Sequence, residues 1–173
     1  MILATGQNET RRAFTLIEMI FVLALLVIIT SIAVPHMAGF IRGRALDSEA
    51  RRVMAAMHVA QSRAVSEGMP MVLWVDEKGG AYGFETETSG QNGDPKAEKL
   101  TMDATLGIAV VSAANATPIT FKNLPAIRFQ ADGTIDEDSP PTLRLTDSDG
   151  FSRTFSENTA RTGYDVYDST SQR

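Results

Sequence analysis

Residues able to do chemistry are few in this chain, and their spacing argues against an active site. There is no cysteine, so thiol catalysis, disulfides and Cys-ligated zinc are excluded. His36 and His58 are the only histidines. On one helix, their separation would be about 33 Å, too far for one metal site or one dyad. His36 reads as an interfacial polar residue and His58 as a helix-surface one. "TDSDG", Asp147 to Gly150 with Thr146, begins like a calcium loop, which makes Asp147 and Asp149 weak metal candidates. The following ligands and the closing glutamate are missing, so a turn between strands is the simpler reading. "DEDSPP", Asp136 to Pro141, reads as a solvated acidic loop, with a cation or partner site as the alternative. No nucleophile elbow or zincin pattern occurs. Neither an enzyme nor a cofactor is expected.

One titratable residue stands where its type is costly. In "RRAFTLIEMIFVLALLVIIT", from Arg11 to Thr30, Glu18 opens an apolar run. Between Phe14 and Val34 the polar residues are Thr15, Glu18, Thr30 and Ser31. A helix over this stretch is about 30 Å long, enough to cross a bilayer core. Three elements could carry it. A helix buried in a soluble protein needs a core on every face, and the remaining chain is small for that. A secretory signal peptide would use Arg11 and Arg12 as its basic flank and Ser31-Ile32-Ala33 as its cleavage site, releasing a soluble secreted domain after Ala33. A retained transmembrane anchor is the third. A carboxylate costs up to about 2.5–3.5 kcal/mol at the centre of such a segment and less near its end, a cost that serves no purpose in a disposable one.

The same stretch resembles the class III signal of type IV pilins and type II secretion pseudopilins: a short basic leader, Phe-Thr-Leu-Ile-Glu, then an apolar helix. The resemblance implies cleavage by a prepilin peptidase between Ala13 and Phe14, and N-methylation of Phe14. Alanine stands at 13 where the family usually has glycine. Counted from Phe14, Glu18 is the fifth residue and Pro35 the twenty-second, where family members carry glutamate and proline. The resemblance makes Phe14, Glu18 and Pro35 assembly residues. It gives the Glu18 carboxylate a partner, the amino terminus of Phe14 on a neighbouring subunit.

Past Pro35, Leu46, Ala50, Val53, Met57, Ala60 and Ala64 recur at helical spacing and predict one core-facing stripe, with Glu49, Arg52, Arg63 and Glu67 on other faces. Gly68 and Pro70 should end the helix. Strands are expected at Met71 to Asp76 and Ala81 to Glu85 around "EKGG", then, after a polar loop at 86–99, at 106–111, 119–121, 126–130, 142–146, 151–155 and 164–167. Trp74, Met54 and Met57 read as core. The expected fold is α+β: a long N-terminal helix, transmembrane in its first half and amphipathic in its second, packed on a C-terminal antiparallel β-sheet head. The divisions are a leader at 1–13, a transmembrane assembly helix at 14–35, the amphipathic helix at 36–68 and the β-rich head at 69–173.

Two head blocks, Met54 to Asp76 with Ser62-Arg63-Ala64-Val65, and Ile127 to Asp136 with Phe129, Asp132 and Gly133, resemble the GspH and FimT group. This implies a minor pseudopilin of a type II secretion system in the bacterial inner membrane, single-pass with its head in the periplasm. Its implied partners are other pseudopilins, the peptidase and secreted cargo. A minor type IV pilin for pilus biogenesis or DNA uptake is the alternative. The net charge of −5 argues against nucleic acid, although Arg128, Arg144, Arg153 and Arg161 would suit it if clustered. Basic residues alone do not set the topology, because Arg42, Arg44, Arg51 and Arg52 follow the span and oppose Arg11 and Arg12.

Overall fold

A computed structural model describes residues 14–88, 93–112 and 119–169, with the side chains of 34–42 and 169 left out of the description. One helix, α1, runs Leu16–Glu67. The chain divides into two compact units, through Gly39 and from Phe40, each taken by itself below.

In the first unit, Thr15 caps the helix. Its Oγ1 accepts the Glu18 amide at 3.3 Å, and the T-x-x-E spacing is that of a capping box. Glu18 thus sits in the first turn, where the helix dipole favours negative charge. The other polar side chains are satisfied within the helix, Thr30 Oγ1 donating to the Leu26 carbonyl and Ser31 Oγ to that of Ile28, both at 2.8 Å. Leu16–Ala33 has a mean hydropathy of 2.7, and none of it is buried in the protein.

In the second unit the helical stripe meets both sheets in one core. Leu46, Ala50, Val53, Met57, Ala60 and Ala64 are all buried, joined by Ala56. Four of these seven are alanines. Gly68 closes the helix at φ +65°, the left-handed conformation that glycine adopts without strain. The strands are β1 Met71–Asp76, β2 Ala81–Thr86, β3 Glu98–Thr101, β4 Leu106–Val111, β5 Thr120–Phe121, β6 Leu124–Phe129, β7 Thr142–Asp147, β8 Ser152–Glu157 and β9 Tyr164–Ser169. They form antiparallel sheets ordered β3-β2-β1-β6-β5 and β4-β7-β8-β9. Met71, Leu73, Val75, Tyr82, Phe84, Ile127 and Phe129 face α1 from the first sheet. Ile108, Leu143, Leu145, Phe155 and Tyr164 face it from the second.

Two features depart from the sequence expectation. The polar stretch at 86–99 was expected to be loop throughout, yet Glu98 and Lys99 begin β3, because pairing with Phe84 and Gly83 outweighs their low strand propensity. Glu49, expected on a solvent face, is 5% exposed. Its Oε1 accepts the Tyr82 hydroxyl at 2.8 Å and its Oε2 the Arg52 guanidinium at 2.7 Å, so the buried carboxylate is fully partnered. Burial first, and then the Glu49 charge, push the Tyr82 phenol well above its ordinary pKa and keep it a donor.

Gly83 lies opposite Trp74 in the β1–β2 ladder. A Cβ there would stand 2.5 Å from Trp74 Cζ2 and 2.3 Å from the Glu98 carbonyl oxygen. Gly83→Ala is therefore expected to destabilise the head by about 1–3 kcal/mol, since β3 cannot yield without losing its ladder to β2 and the indole cannot yield without repacking. A urea midpoint equal to wild type would contradict this.

Candidate assembly site

The candidate residues of the N-terminal segment come from sequence, and the structure supplies their setting. Ala13 lies outside the described residues. Phe14 precedes the helix and is exposed, and Glu18 is exposed one turn in. Helix continues through Pro35, whose missing N–H leaves the Ser31 carbonyl without its usual intrahelical donor. The side chains of Pro35 and His36 lie outside the description. Around Glu18 the helix presents a continuous apolar surface, with Leu16 80%, Phe21 70% and Val27 64% exposed. Such a surface is stable only when lipid or other apolar helices cover it.

Other candidates fall into structural roles. Asp147 Oδ1 accepts the amides of Asp149 and Phe151, both at 2.9 Å, and Gly150 follows at φ +87°, so the pair forms the β7–β8 turn. No cluster of three potential metal ligands occurs among the described residues. The Asp136 loop is tied to β6, Ser139 Oγ accepting the Arg128 amide at 3.0 Å. His58 is exposed on α1.

The four arginines do not make one patch. Arg128 pairs with Glu87 and Asp136, Arg153 with Asp47 and Asp168, and Arg161 with Glu157 and Glu137. Arg144 and Arg153 lie on opposite faces of the second sheet, since Arg153 is paired with Leu145, the neighbour of Arg144.

The two head blocks singled out in the sequence do come together. Phe129 to Gly133 closes as a turn, with Gly133 at φ +85° and Asp132 Oδ1 accepting the Thr134 amide at 2.9 Å. Gln61 Nε2 on α1 donates to the Gly133 carbonyl at 2.6 Å and to that of Thr162 at 2.8 Å. One amide thereby ties the helix to both sheets. Two residues along, Arg63 anchors the β2–β3 connection. It binds Asp94 Oδ2 at 3.0 Å, the Lys96 carbonyl at 3.0 Å and Glu67 Oε1 at 3.1 Å, with its guanidinium 6.0 Å from the centre of the Phe84 ring. Sequence reasoning missed this cluster, because Arg63 and Asp94 are 31 positions apart and Asp94 stands in what reads as loop.

A capped apolar helix that runs on into a helix covered by two antiparallel sheets is the pilin-like fold. Residues 49–163 match the Type II transport protein GspH family, and residues 10–34 match the prokaryotic N-terminal methylation motif. The chain belongs to the GspH family, whose members are structural subunits rather than enzymes. Among solved structures it is similar to the minor pseudopilin EpsH of the Vibrio cholerae type 2 secretion system. The TM-score is 0.52 at 12% identity, over 72% of this chain and 96% of that one. The Pseudomonas aeruginosa type IV minor pilin FimU aligns with TM-score 0.50 at 19% identity, over 76% and 92%. In sequence it is similar to the Type IV major pilin protein PilA of Myxococcus xanthus, 30% identical over 143 residues, which is 80% of this chain and 60% of that relative's length. An apolar N-terminal helix with this motif accords with an inner-membrane pilin.

The Arg63 cluster predicts a pH dependence. Burial disfavours the Asp94 carboxylate, whose side chain is 3% exposed, but the Lys96 and Thr86 amides and Arg63 outweigh that and hold its pKa below the usual value. A carboxyl depressed in the folded state contributes stability that is present above its unfolded pKa of about 3.9 and is lost as pH falls through the folded pKa. Arg63→Ala should destabilise the head by about 3 kcal/mol at neutral pH and lose less on acidification below about pH 4. Parallel wild-type and mutant curves in urea unfolding from neutral pH down to acid would contradict the assignment.

Proposed function

We propose that this chain is a minor pseudopilin that assembles into the periplasmic pseudopilus of a type II secretion system and helps export folded proteins. A prepilin peptidase cuts between Ala13 and Phe14 and methylates Phe14. The mature protein spans the inner membrane once, with its head in the periplasm. It leaves the membrane when its apolar helix joins a bundle of neighbouring subunits, where Glu18 pairs with the amino terminus of an adjacent Phe14 and sets axial register. The observation that carries this reading is the uncovered Leu16–Ala33 helix with a carboxylate in its first turn. Lipid satisfies the apolar side chains but not the carboxylate, whereas a bundle with a cationic terminus satisfies both.

A second reading, a minor type IV pilin serving pilus biogenesis or DNA uptake, draws support from the likeness to the Myxococcus xanthus pilin. Deletion of the gene separates the two: loss of exoprotein secretion with pili intact supports the first, and the converse supports the second.

Glu18→Ala tests the mechanism common to both. Removing one member of a buried ion pair costs about 3–5 kcal/mol. The variant should fractionate with the inner membrane at wild-type levels yet lose its crosslinks to the major subunit. Crosslinking and filament incorporation equal to wild type would sink the role assigned to Glu18.

A further inference from the structure

Among the described residues the outer edge of β9 carries no further strand, and we infer that it receives an extended, basic segment of a partner protein as a fifth strand of the second sheet. The inference rests on the head alone and is independent of how the N-terminal segment is read.

Among the described residues, β9 is a six-residue sheet edge guarded by charge alone, that of Asp165 and Asp168. The β3 edge is four residues long and carries Lys99, and β5 has two residues. On β4, Glu77 Oε1 accepts the Val110 amide at 2.6 Å. By contrast β9, "YDVYDS", is six residues long, contains no proline, glycine or lysine, and pairs with β8 without a bulge over its whole length. Natural edges are usually blunted by such devices.

Beside β9 lies a groove of about 580 Å³, walled by α1 on its other side. Ala50, Met54 and Ala55 of the helix face Val166 of the strand across it. Val166 is 40% exposed, although Tyr164, two residues earlier on the same face, is buried. An added strand would lay alternate side chains into this groove while its backbone completed the edge, the geometry of strand addition.

Charge selects the occupant. Within the groove Asp47 and Asp168 are balanced by Arg51 and Arg153, which leaves the exposed Asp165, on the other face of β9, to attract a basic side chain of the added strand. In every antiparallel β9–β9 register that pairs three or more residues, an aspartate of one copy falls opposite or diagonal to an aspartate of the other, and in-register parallel pairing stacks Asp165 on Asp165. Like charges so placed are destabilising. A second copy is therefore disfavoured, and a strand bearing lysine or arginine beside apolar residues is complementary.

The test uses the full mature chain in detergent micelles with two short labelled peptides, one alternating valine with lysine and one alternating valine with glutamate. The lysine peptide should bind roughly tenfold more tightly than the glutamate peptide and slow hydrogen exchange at the β9 amides. Asp165→Lys should reverse that preference, and the same variant in the same micelles accounts for binding to detergent. Equal affinities, protection confined to other elements, or an unchanged preference in Asp165→Lys would overturn the inference. So would peptide-free protection of β9 that rises with protein concentration, which would make the occupant a second copy. Binding only after deletion of residues 170–173 would make it the chain's own tail.

Discussion

An apolar helix surface has to be covered, and both units of this chain follow from how that is done. From Leu16 to Ala33 the large side chains stand at roughly half exposure or more among the described residues. Full burial of each such residue is worth about 1.5–3 kcal/mol, so the thirteen large apolar residues of this stretch dominate the energetics of wherever the chain resides. Water is excluded as an environment. A bilayer and a bundle of like helices are both apolar enough, and exchange between them changes little for leucine or isoleucine. The difference between the two falls on the few polar groups. Thr30 and Ser31 are satisfied by their own helix in either setting. Glu18 is not, and under the proposed function that asymmetry would give assembly a direction and a register.

In the head the same need is met from within. The stripe from Leu46 to Ala64 is buried in one core with the inner faces of two sheets. Polar residues fix what apolar packing leaves free. Glu49 bound to Tyr82 sets how the first sheet lies on the helix, Gln61 ties the Gly133 turn to α1, and Arg63 holds the β2–β3 connection at the end of the helix. Each would be costly if left unpartnered, so each selects one packing arrangement over near alternatives.

Most of the architecture was legible in the sequence because it follows from local periodicity. The apolar run, the stripe of α1, the Gly68 stop and the alternating strands each declare themselves within a few residues, and the leader motif is contiguous. What escaped depended on distant partners. Glu49 reads as a surface carboxylate until Tyr82, 33 positions away, is brought beside it. Glu98 and Lys99 read as loop until β2 offers them a ladder. The β5–β6 turn was hidden for another reason: Lys122 and Asn123 adopt φ of +52° and +65° without a glycine to announce it. Three of the four arginines that suggested a basic patch are matched by carboxylates, most of them distant in sequence.

The central claim is that the apolar helix stays on the mature protein with Glu18 near its new terminus. Intact-mass and N-terminal peptide analysis of the protein extracted from its native inner membrane tests it most directly. A chain beginning at Phe14 and carrying one methyl group on its amino terminus is the predicted result. A chain beginning at Val34 would contradict it, since that protein would have discarded both Glu18 and the surface that needs covering.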